Sequence, residues 1–162
     1  MQTLEVNEMI YDLAKLFARD LNKVTKQIQA FEEERQLWMV LPGVANSAGN
    51  LVLHLEGNLR EYVGRQLCGI VYTRNRPREF ENTSVAASDL LQRIEHVTAI
   101  VPLVIESLTE TKLSAMYPEN VLGSEMTVRF FLIHLHGHLN YHLGQIDYLR
   151  RILTNGKAIG PS

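Results

Sequence analysis

Four stretches of this chain repeat apolar residues every three to four positions, and turn formers and charges stand between them. That period lines one side of an α-helix, whereas a half-buried strand needs strict alternation. The first stretch, about 7–36, carries Met9, Leu13, Leu16, Phe17, Leu21, Val24 and Ile28 on one side. Pro42-Gly43 closes an irregular run after Trp38, and Ser47 offers an N-cap for a second helix over about 47–68. The polar segment from Tyr72 to Ser84, with Arg74, Arg76, Pro77 and Arg78, reads as a solvated charged loop. Thr83 or Ser84 then caps a third helix over about 84–110. Ser124 and Glu125 open a fourth over about 125–153, which Asn155-Gly156 ends. The predicted fold is all-α, a four-helix bundle forming one domain over 1–162.

Composition removes several classes of function. Sixteen Lys plus Arg against eighteen Asp plus Glu leave a formal charge of −2, which gives no electrostatic grip on nucleic acid or anionic lipid. Cys68 is the only cysteine, so neither an internal disulfide nor a cysteine-rich zinc site can form. No uncharged apolar run approaches the ~20 residues of a membrane helix. The acidic start, Met1 to Glu8, lacks the basic-then-apolar layout of a secretory signal, so the expected compartment is the cytoplasm.

The inward stripes of a bundle converge on a shared interior, where a buried polar group must find a partner or a ligand. Here five of six histidines fall on two predicted helices: His54 on the second, and His134, His136, His138 and His142 on the fourth. His134, His138 and His142 follow at intervals of four and share a face, while His136 is rotated away from it. One helix can offer two neighbouring ligands at i and i+4, and a third must come from elsewhere. His54 can supply it, since Asn50, His54 and Asn58 form a polar strip where a bundle would ordinarily place leucine. Spacing alone leaves open a metal-free bundle with hydrogen-bonded core histidines.

The segment His138-Leu139-Asn140-Tyr141-His142-Leu143-Gly144-Gln145-Ile146 resembles the H-x-x-x-H-x-G-Q-I signature of the DinB/YfiT-like superfamily of metal-binding four-helix bundles. The segment Asn46 to Arg60 is similar to the second-helix signature of an uncharacterised DinB-like subgroup. Position by position, the resemblance implies a divalent metal on His54, His138 and His142, and it implies a homodimer. Leu143 stands where many relatives have a basic residue.

Three neutral imidazoles suit zinc or nickel, with iron, copper or manganese as alternatives, and they leave a coordination position open. Asn50, Asn58, Gln145, Asp12 and Asp89 are candidates to accept each ligand's second N–H. Trp38, Tyr11, Tyr62, Tyr141, Phe130 and Phe131 are candidates for a pocket wall, and Gly137 and Gly144 for a close approach to the fourth helix. The resemblance further implies a metal-dependent transferase or isomerase that joins a low-molecular-weight thiol to a small electrophilic substrate. Metal-dependent hydrolysis and a non-catalytic, stress-related metal-binding bundle are the alternative readings.

Overall fold

The computed structural model describes residues 2–160, with side chains from residue 8 onward; the predicted domain limits at 1 and 162 lie outside them. Helix α1 spans Gln2–Gln29 and turns Ile10, Ala14, Phe17, Leu21, Val24 and Ile28 inward. The buried stripe is thus rotated slightly from the predicted one: Met9 is exposed, and Leu13 and Leu16 are half-buried. The helix also stops seven residues early. The Gln36 carboxamide accepts the N–H groups of Glu32 and Glu33 and donates to the Leu153 carbonyl, which holds Glu34–Trp38 in a separate 3₁₀ turn.

Helix α2, Ala48–Leu59, starts as expected: the Ser47 hydroxyl accepts the Asn50 N–H at 3.2 Å. All twelve of its residues are buried, and it continues through a π turn at Arg60–Arg65 and a last turn at Gln66–Cys68. Gly69, with φ of 72°, ends it in the left-handed conformation that glycine adopts without strain.

The segment predicted as a solvated loop contains a helix. Asn75 caps α3, Arg76–Glu81, by accepting the Arg78 N–H, and Pro77 sits in the first turn, where its missing donor costs nothing. The buried Asn50 amide donates to the carbonyls of Glu79 and Asn82 and so pins α3 onto α2.

Helix α4, Ala87–Glu106, opens without Thr83 or Ser84; the first free N–H, that of Ala87, is taken by the Glu34 carboxylate at 3.1 Å. It ends before 110, and Thr109 caps a separate short helix α5, Glu110–Ser114. Helix α6, Val128–Thr154, is capped by Thr127 rather than Ser124. Backbone bonds from Tyr117 N–H to the Met126 carbonyl and from Val128 N–H to the Ala115 carbonyl keep the chain extended up to that point. Asn155, at φ of 51°, closes the helix where the sequence predicted.

The four long helices form a ring in which α1 and α2 each pack against both α4 and α6 around one apolar core. Across the α1–α6 seam the fully buried Asp20 carboxylate accepts bonds from Arg19, from His136 Nε2 and from the Asn140 amide. His136 therefore faces α1, away from the other histidines of α6, as its rotation predicted.

Candidate metal centre

Helices α2 and α6 bring together the three imidazoles that the sequence singled out. His54 Nε2 and His142 Nε2 each lie 3.1 Å from His138 Nε2, and the three nitrogens fall within 4.8 Å of one another. A tetrahedral cation bound at 2.0–2.1 Å would hold its ligand nitrogens about 3.3 Å apart. The three rings meet nearly edge-to-face, so their lone pairs point into one volume.

Two of the tautomers follow from acceptor-only partners. His54 Nδ1 donates to Glu79 Oε2 at 2.8 Å, and His142 Nδ1 donates to the Gln145 carbonyl oxygen at 2.7 Å. Both Nε2 atoms are then lone-pair acceptors facing His138. His138 has one proton at most to place between two such acceptors, and its own Nδ1 is buried without a partner. Neither tautomer of His138 satisfies both facing lone pairs, whereas a cation would take all three Nε2 lone pairs together; the His138 Nδ1 is without a partner in either case.

The electrostatics keep the donors available. Burial and the neighbouring imidazoles of His142, His54 and His134 push His138 down to about 3, and burial also lowers His142. Glu79 is held below the ordinary carboxylate range: burial raises it, but bonds from His54 and Arg74 outweigh that. Arg74 Nε and Nη2 grip the two Glu79 oxygens at 2.7 and 2.9 Å. The result is a carboxylate–histidine arrangement that orients His54, supported by an arginine behind the carboxylate.

Of the five acceptors proposed from sequence, only Gln145 takes that place; Glu79 was not foreseen, because its segment read as solvent-facing. Its sequence signal is Gly57, one turn after His54: a Cβ there would overlap the Glu79 carboxylate. The glycines that were singled out, Gly137 and Gly144, face open space instead. His134 stacks on Phe131 and lies outside the cluster. Tyr62 and Phe131 line a cleft of about 330 Å³ that opens beside His54 and His138. Tyr11, Phe130 and Tyr141 are exposed, and Trp38 donates to the Val85 carbonyl and packs over Gly49. Among the described residues no helix is long and apolar enough to cross a membrane.

Among curated proteins none matches the chain. Several solved structures match the chain, and two crystal structures among them illustrate the shared fold. One is a DinB-like protein from Bacillus cereus ATCC 10987, 15% identical, with a TM-score of 0.70 over 91% of this chain and 94% of that one. The other is the DinB-like protein YjoA from Bacillus subtilis, 17% identical, with a TM-score of 0.68 over 93% and 98%. A family model described as protein of unknown function DUF1572 matches residues 6–159. With nearly the whole chain matched and the bundle shared, the protein belongs to the DUF1572 family and carries it on a DinB-like fold.

Proposed function

We propose that the protein is a metal-dependent enzyme that binds one divalent transition metal, zinc or nickel first, and joins a low-molecular-weight thiol to a small electrophile. The observation that carries the metal is the convergence of three Nε2 lone pairs with no proton arrangement that satisfies them. When bound, such a cation lowers the pKa of a coordinated thiol or water toward neutrality. The chain's own groups do the rest. Glu79 and Gln145 fix the tautomers of His54 and His142, and Arg74 keeps Glu79 ionised. The cleft beside His54 and His138 admits a small molecule, with Phe131 and Tyr62 as its aromatic wall. In the reaction the thiol loses its proton to solvent, its sulfur forms the new bond to carbon, and the leaving group departs with the bonding pair. A cytoplasmic setting goes with this reading, since Cys68 is free and exposed.

Elemental analysis of tag-free protein tests the centre. One equivalent of a transition metal is expected in the wild type and only background in His54→Ala and His138→Ala. A wild type that stays metal-free after incubation with zinc and nickel would sink it. Turnover of an electrophile that requires added thiol separates transfer from hydrolysis.

A further inference from the structure

Part of the cleft wall beside the centre comes from a segment that the fold holds firmly at its two ends. Tyr117 and Met126 are buried, and the Tyr117 N–H bonds the Met126 carbonyl at 2.8 Å. One rung further out, the Val128 N–H bonds the Ala115 carbonyl at 2.9 Å. The Tyr117 hydroxyl donates to the Tyr62 carbonyl at 2.8 Å, which ties this base to the π turn that extends α2. Residues 118–125 thus leave and rejoin the fold at one closed base, the layout of a compact surface loop. Gly123, at φ of 81°, turns its tip and bonds the Asn120 carbonyl.

Between the anchors the hold is slight. Residues 118–120 and 122–125 are exposed and Val121 is half-buried. Val121 and Leu122 line the cleft that contains His54 and His138. Among the described residues, the side-chain bonds from this segment to the rest of the fold all come from Glu119. Its Oε1 accepts from Arg65 Nη2 at 3.3 Å and from the Gln66 amide, both at the end of α2. Glu61 holds Arg65 in place for this, accepting from its Nε at 2.8 Å. A stretch with few buried contacts, closed by one exposed ion pair, opens at low cost while its anchored base stays put.

We infer that residues 118–125 are a lid on the metal cleft, latched to the end of α2 by Glu119. Closed, Val121 and Leu122 narrow the cleft and supply part of its apolar wall; open, they clear the path to His54 and His138. The inference rests on the reading of this cleft as the approach to the centre, and its test separates the two.

Glu119→Ala removes the latch at an exposed position, and two readouts follow it. In metal-free protein, diethyl pyrocarbonate labelling with mass spectrometry should modify His54 and His138 about threefold faster in the variant, the size of effect that one exposed ion pair allows. His96, exposed on α4, should react at an unchanged rate and so reports that the fold is intact. Raised salt should speed labelling of the wild type and leave the variant unaffected, since it screens the same pair. In zinc-loaded protein a lid governs entry and exit together. Capture of zinc and its release to a chelator should therefore quicken by the same factor, with affinity unchanged. Equal labelling of His54 and His138 in the two proteins overturns the inference. Faster release with a matching loss of affinity also overturns it, because Glu119 would then support the ligands and not a lid. Faster labelling in a protein that takes up no zinc keeps the lid and removes the metal from what it covers.

Discussion

Glu79→Gln is expected to weaken metal binding by about 10- to 100-fold, although residue 79 is not a ligand. The carboxylate holds the His54 proton on Nδ1 and accepts both Arg74 bonds in a region where neither partner is well solvated. Glutamine keeps one acceptor but loses the charge, and its amide nitrogen cannot accept from His54 or Arg74. Gly57→Ala should act in the same direction, because its methyl group occupies the place of the Glu79 carboxylate. Breaking this buried pair should also cost about 3 kcal/mol of stability through the uncompensated Arg74 charge. Competition against a chromogenic chelator reads the affinity, and urea unfolding of metal-free protein reads the stability. An affinity unchanged in both variants would show that Glu79 does not orient His54.

The second large effect concerns the α1–α6 seam. Asp20→Asn is expected to cost about 3 kcal/mol at pH 7, which at this size lowers Tm by roughly 10 °C. The fully buried carboxylate serves Arg19, His136 and Asn140, and asparagine offers a single oxygen in its place. The same group sets an acid response. Burial raises its pKa, but the bonds from Arg19, Asn140 and His136 outweigh this and hold it at about 2, against an ordinary 3.8. A carboxylate depressed on folding stabilises above its unfolded pKa, and that contribution fades as pH falls from 3.8 through 2. The gap between wild type and Asp20→Asn should therefore narrow by about 2 kcal/mol over that range. Urea midpoints at stepped pH measure it, and a constant gap would mean that Asp20 is not ionised in the fold.

Much of the centre was legible because i, i+4 spacing is a local property. Two residues four apart on a helix must share a face, so His138 and His142 converge whatever packs against them. Helix ends depended on which side chain reached the free backbone groups. Ser47 and Asn155 were readable because each acts on its own turn. Thr83, Ser84 and Ser124 were misread because Glu34, far along the chain, takes the Ala87 N–H, and the pairing of 115–117 with 126–128 delays α6 to Thr127.

The sequence by itself determined the four amphipathic helices, the absence of an alternating strand pattern and the shared face of His134, His138 and His142, all set by periodicity within a segment, while the set His54, His138 and His142 came from the resemblance. Only the tertiary structure decided that Glu79 and Arg74 stand behind His54, that Val121 and Leu122 line the cleft, and that Gly137 and Gly144 face outward. The physical reason is that a charged segment without apolar period looks the same in sequence whether it is solvated or folded back. The Asn50 bonds to the α3 backbone and the space above Gly57 bring Glu79 inside, and both exist only once α2 and α3 have met.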